Sequence, residues 1–173
     1  MNDEHDDFAR VRPMPFGIRV CALAELGAVA KENRATAVIS ALDPGTRAPR
    51  PEGVSPEKHL ELFFEDVSLE DARGAPKIND VKRALDFVAK LDPDDVLVIH
   101  CHAGISRSAA IAFLVAAREF GDAKAALESL VAIRRLALPN LLIAAHGSKL
   151  LGDESMLSVV EDFHKREFGG FII

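Results

Sequence analysis

Between residues 16 and 101 the chain alternates short β-branched apolar runs with longer stretches whose apolar positions recur at helical spacing. FGIRVCAL (16–23) and TAVISAL (36–42) are too short and too branched for helices and predict strands. HLELFFEDV (59–67) predicts a third strand, with Leu60, Leu62 and Phe64 alternating against His59, Glu61 and Phe63. DDVLVIHC (94–101) predicts a fourth, buried and central, because its apolar run is uninterrupted. AELGAVAKENRA (24–35) and VKRALDFVAKL (81–91) have helical spacing, the latter through Val81, Leu85, Val88 and Leu91.

Beyond the fourth strand the pattern is helical. RSAAIAFLVAARE (107–119) is apolar nearly all round, as for a helix packed under a sheet, and DAKAALESLVAIRRLA (122–137) is more amphipathic. PNLLIAAHGSKLL (139–151) predicts a further helix that Pro139 can open, and a last one covers 155–167. DPGTRAPRPEGVSPE (43–57) is a long surface loop, and SLEDARGAPKIND (68–80) a polar connector. Strands alternating with helices predict an α/β fold: a central, mostly parallel sheet of 4–5 strands flanked by helices. Residues 1–15, polar and ending in prolines, read as a flexible leader, and 16–173 as a single domain.

Composition narrows the function. The 173 residues carry a formal charge of −6, with arginines scattered rather than striped, so no nucleic-acid partner is expected. No stretch approaches the roughly 18 apolar residues of a membrane span, and the acidic start MNDEHDDFARVRPMPFG lacks the apolar core of a secretory signal. Two cysteines, Cys21 and Cys101, are too few for a disulfide scaffold. A cytoplasmic protein is expected.

In such folds ligands bind beyond the carboxyl ends of strands, where His100, Cys101 and His102 stand. They do not suit a metal: on a strand the two histidines face one way and the cysteine the other, and His5, His59, His146 and His164 are dispersed. No metal and no cofactor are expected. Reading forward from Cys101 gives HAGIS, then Arg107, Ser108 and a long helix. A strand, a tight loop and a helix N-terminus can aim amides and the helix dipole at one dianion. Gly104 allows a positive φ, and Arg107 can close its planar fork over the anion. That setting favours the thiolate of Cys101, with a pKa about 4 to 6 instead of about 8.5. Ser108 can bond the sulfur and ease its departure.

HCHAGISRS (100–108) resembles the His-Cys-x5-Arg-Ser/Thr signature of the cysteine-dependent tyrosine and dual-specificity phosphatases, and LPN (138–140) resembles the Pro-Asn before a late helix of the dual-specificity enzymes. The resemblance covers roughly Phe16 to Leu151 and implies a phosphotyrosine-phosphatase-like fold. It implies that Cys101 is the nucleophile, that Arg107 binds phosphate, that the amides of His102, Ala103, Gly104, Ile105, Ser106 and Arg107 line the cradle, and that His100 orders the loop from behind.

It also implies an aspartate that protonates the leaving oxygen and then serves as base. Asp66, leaving the carboxyl end of the third strand, is preferred; Asp71, deeper in the connector, is the alternative. The expected substrates are phosphate monoesters, on a phosphorylated protein or a small molecule. With no Tyr and no Trp, the chain cannot form a tyrosine-bearing recognition loop, and the cradle lacks the lysines of inositide phosphatases. A phosphoester-binding pseudophosphatase and a rhodanese-like sulfur transferase are the alternatives. Cys21 is either a small apolar residue of the first strand or a disulfide partner that protects Cys101.

Overall fold

The computed structural model describes residues 11–169. Residues 1–10 of the expected leader lie outside the described residues. Met14 belongs to the buried core, so packing reaches back past the boundary expected at residue 16.

Four strands form one all-parallel sheet: β1 (Arg19–Ala22), β2 (Ala37–Leu42), β3 (His59–Phe63) and β4 (Leu97–Cys101), in the order β1-β4-β2-β3. The two central strands, β2 and β4, are wholly buried, and both are runs of apolar residues with one polar interruption each, Ser40 and His100. Their register pairs Ser40 with His100 directly. β3 lies at an edge and alternates as its sequence does: Leu62 and Phe64 turn into the core, whereas Phe63 stays exposed.

The faces of the sheet are covered unequally. On one face Val20, Ile39, Leu62, Leu97 and Ile99 share a core with α2 (Ile78–Val88) and α3 (Arg107–Phe120), on which α4 (Ala123–Ile133), α5 (Leu141–Leu151) and α6 (Ser155–Glu167) are layered. On the other, Cys21, Val38, Leu42 and Val98 meet the single helix α1 (Leu26–Glu32), its flanking residues Leu23 and Ala35, and the long loop through Ala48 and Val54.

The helix that follows the cradle is buried without a break from Arg107 to Ala117, which its all-round apolar sequence anticipates. Phe113 is its largest fully buried side chain, contributing about 2–3 kcal/mol of apolar burial. Alanines at 109, 110, 112, 116 and 117 let the neighbouring elements approach its axis. Gly121 ends it with a left-handed φ of 62°, its amide bonded to Ala117 O. Asn140 starts α5: its Oδ1 accepts the Ile143 amide at 3.0 Å. Pro139 therefore stands just before the helix, rather than in its first turn as the sequence suggested.

Candidate functional site

Cys101 ends β4 at the carboxyl edge of the sheet, 2% exposed, with a loop of five residues before α3 begins at Arg107. The loop turns its carbonyls outwards. His102 O accepts Leu23 N (3.1 Å), Ala103 O accepts Arg134 Nη2 (3.0 Å), Gly104 O accepts Arg134 Nε (3.0 Å), Ile105 O accepts Leu138 N (2.8 Å), and Ser106 O accepts Ala110 N (2.9 Å). A trans peptide carries its C=O and the next N–H in opposite directions, so amides 103 to 107 point inwards, towards the space above the sulfur. Gly104 adopts φ 66°, and a side chain there would collide with the main chain of β1, at 2.6 Å from Ala22 N. No other residue satisfies both conditions.

The sulfur lies 3.1 Å from Ser108 Oγ. Burial, the strongest influence on its thiol, opposes ionisation; the Ser108 hydroxyl and the amides of Ser108, Ile105 and Gly104 together outweigh it and hold the pKa below the ordinary thiol value. Cys21 shows the contrast. Buried among apolar groups and near Glu25, its thiol is pushed up to about 12. In register it pairs with His100, so its side chain faces the opposite side of the sheet from Cys101. A disulfide between them would require β1 to be rebuilt.

Arg107 is buried at 3% exposure, although it is the first residue of α3. Its Nη1 donates to Asp43 Oδ1 (2.7 Å) and to the Phe64 carbonyl (2.8 Å), while Nε is buried without a partner. Burying a guanidinium donor unpaired is costly, and an oxyanion over the cradle is the acceptor that this atom lacks. Asp43, one residue beyond β2, also reaches His102 Nε2 at 3.3 Å. The sequence reading missed Asp43, although its signal was available: LDPG places it at the carboxyl end of the strand next to β4.

The two candidate acids separate. Asp66 Oδ1 accepts Ser106 Oγ (2.7 Å) and Asn140 Nδ2 (2.9 Å), and Asn140 Nδ2 also donates to Val67 O at 3.1 Å. Asp66 thereby lines the same cavity as Asp43, His102 and Arg107, a cleft of about 690 Å³ that Glu65 and Arg73 also border. Asp71 neither borders that cleft nor bonds to its residues. A larger cavity of about 860 Å³, lined by Leu127, Val131 and Phe163 between α4 and α6, holds none of these groups.

Arg134 and Asn140 also went unrecognised as site residues. Arg134, held by Glu25 Oε2 (3.1 Å), braces two loop carbonyls from outside, and Asn140 ties the loop of Asp66 and Val67 to the start of α5. Both lie in the segment RRLALPN (134–140), whose Pro-Asn stood out in the sequence. His100 is fully buried behind the cradle, and burial pushes its pKa down to about 4, so it is neutral. Among the described residues no three His, Cys, Asp or Glu side chains converge as metal ligands would, and no helix is long and apolar enough to cross a membrane.

No family model matches the chain, and no curated protein matches it in sequence. Solved structures do match in fold. Human DUSP28 is 18% identical, with 88% of this chain and 97% of that chain covered, at a TM-score of 0.59. DUSP15 is 19% identical, with 91% and 94% covered, at 0.61. PTPMT1 in complex with PI(5)P is 17% identical, with 90% and 94% covered, at 0.55. The chain has the fold of the dual-specificity, cysteine-dependent phosphatases.

Proposed function

We propose that the chain is a phosphatase that hydrolyses phosphate monoesters through a cysteinyl-phosphate intermediate. One observation carries the reading: every carbonyl from residue 102 to 106 is engaged outside the loop, so the intervening amides converge on the space above Cys101 Sγ, beside the unpartnered Nε of Arg107. A dianionic phosphoryl group satisfies both.

In the first step the Cys101 thiolate attacks phosphorus in line, the S–P bond forms and the P–O bond to the leaving group breaks. The inward amides and Arg107 hold the equatorial oxygens, where charge spreads in the transition state. The leaving oxygen takes its proton from Asp66. Both donors to Asp66 converge on Oδ1, which leaves Oδ2 to carry that proton. In the second step a water attacks phosphorus and gives a proton to the Asp66 carboxylate. The S–P bond breaks, the thiolate returns to its Ser108 hydrogen bond, and inorganic phosphate leaves.

The substrate reading is a phosphorylated protein side chain, tyrosine and also serine or threonine, or a small phosphate ester. The loop positions His102, Ala103, Ile105 and Ser106 carry no lysine, which disfavours inositides. Two unpaired cysteines, one of them with its thiol pKa held below the ordinary value, fit the reducing cytoplasm.

Hydrolysis of a generic aryl phosphate by the parent and by Cys101→Ser tests the reaction. A burst of phenol followed by turnover in the parent, and neither in the variant, is expected. Equal rates for the two would falsify the mechanism. Thiosulfate sulfurtransferase activity without phosphate release would point to a sulfur transferase instead.

A further inference from the structure

The segment that carries Asp66 is held on both of its limbs from α5, and the reaction above uses only the first of these holds. Its neck is narrow: Glu65 N donates to Gly74 O at 2.7 Å, so residues 66–73 stand out as a loop on that pair. On the first limb Asn140, the cap of α5, donates from Nδ2 to Asp66 Oδ1 and to Val67 O. Asn140 is itself fixed, since its amide donates to Ser106 O (3.2 Å) and His164 Nε2 donates to the preceding carbonyl, Pro139 O (2.8 Å). On the second limb His146 Nε2 lies 3.1 Å from Pro76 O. Among the described residues no other hydrogen bond joins residues 72–76 to a helix.

His146 and Pro76 are both buried. A carbonyl oxygen only accepts, so His146 must carry a hydrogen on Nε2. Without that donor the Pro76 carbonyl would be left buried and unpaired, and the limb would have to move to bring it to water. The support behind the donor is rigid. His146 stands six positions beyond Asn140, about 9 Å along the helix, and next to Gly147, where any side chain would overlap the methyls of Leu114 on α3. That close approach locks α5 onto the helix that begins at Arg107. Pro76 is thereby fixed relative to the anion-binding loop, and Gly74 O, two residues before it, holds the amide of Glu65, the neighbour of Asp66.

We propose that His146 is a positioning residue for Asp66: by holding Pro76 O it fixes the second limb of the loop, and through the Glu65–Gly74 pair it sets where the carboxyl group stands at the cleft. The catalytic consequence rests on the phosphatase reading, whereas the hold on the loop is a property of the folded chain.

Two esters test it, phenyl phosphate and a dinitrophenyl phosphate, compared by kcat/KM, which covers the steps up to release of the phenol. Only the poor leaving group, phenolate, needs a proton from the acid as it departs. His146→Leu removes the donor and keeps the site apolar. It should lower kcat/KM for phenyl phosphate by about ten- to a hundredfold, as a misplacement of about 1 Å can, and leave the dinitrophenyl ester close to the parent. His146→Gln, which presents an N–H at the same reach, should restore the phenyl ester. A parent-like phenyl phosphate rate in His146→Leu, or an equal loss on both esters, overturns the proposal. Ring nitrogen-15 spectra of the parent should show the hydrogen on Nε2 of His146; a bare Nε2 overturns it even if His146→Leu does not fold. If the parent hydrolyses neither ester, the proposed function fails, and exchange of the Glu65 amide decides this inference instead. Faster exchange in His146→Leu, restored in His146→Gln, supports the hold, and unchanged exchange in His146→Leu overturns it.

Discussion

Two aspartates five positions apart have different surroundings: Asp66 accepts from Ser106 and Asn140 at the rim of the loop, and Asp71 is exposed and lines no part of the cleft. General acid catalysis is worth about 10² to 10⁴ in rate. Asp66→Asn should therefore lose about that much in kcat on an aryl phosphate, together with the pH-dependent limb due to the acid, and Asp71→Asn should keep the parent profile. Steady-state rates across pH for the two variants check this, and a parent-like Asp66→Asn would move the role elsewhere.

His100 bears on stability as well as on geometry. Burial lowers its pKa from an ordinary 6.5 to about 4. The folded state thus resists protonation that the unfolded chain accepts below about 6.5. Its contribution is fully present above that pH and disappears as the pH falls to about 4, an effect of about 3 kcal/mol. Carboxylates also titrate there, so the comparison is between proteins: the urea midpoint of His100→Gln should fall less between pH 7 and 4.5 than that of the parent. An identical drop in both would mean that His100 does not feel its burial.

At the scale of elements, the cradle is shaped by what touches it from outside. Five carbonyls are held by Leu23 N, two nitrogens of Arg134, Leu138 N and Ala110 N, which belong to three separate segments of the chain. Gly104 closes against β1 with its φ of 66°. Gly104→Ala adds left-handed strain of roughly 1–3 kcal/mol and an overlap with backbone that cannot rotate away. We expect a lower melting temperature and a loss of phosphate binding disproportionate to it, measured by titration at a temperature where the variant is folded. Asn140→Ala removes the cap of α5, about 1 kcal/mol, and also one of the two donors to Asp66. Its stability and its acid-dependent rate should fall together; a change in stability alone would assign Asn140 to the helix only.

The whole molecule sets an electrostatic background against which the site must work. With a formal charge of −6, the proposed binding of a dianion has to come from a buried, oriented set of donors rather than from an overall field. Orthovanadate, a phosphate mimic, should therefore raise the melting temperature by mass action. At a hundred times its dissociation constant the gain is about 2.7 kcal/mol, roughly 5–10 °C for a domain of this size. Arg107→Ala should abolish the shift and Asp43→Asn should reduce it, since Asp43 orients Arg107 Nη1. A shift that survives in Arg107→Ala would locate anion binding elsewhere.

Local physics was enough to read the order of strands and helices, the buried position of β4, the last helix and the loop from Cys101 to Arg107. These rest on apolar period, chain punctuation and the short-range geometry of a strand running into a helix, all properties of contiguous residues. What tertiary structure decided lies between segments distant in sequence. Asp43 meets Arg107 across 64 positions, Asn140 meets Asp66 across 74, and Ser40 joins His59 to His100 because β2 lies between β3 and β4. Cys21 and Cys101, the only two thiols, are kept on opposite faces by a strand register that no local pattern encodes. Strand order and register come from packing the whole sheet at once, so the chain's own pattern placed the candidate groups on its elements, and only the closed fold decided which of them face one another.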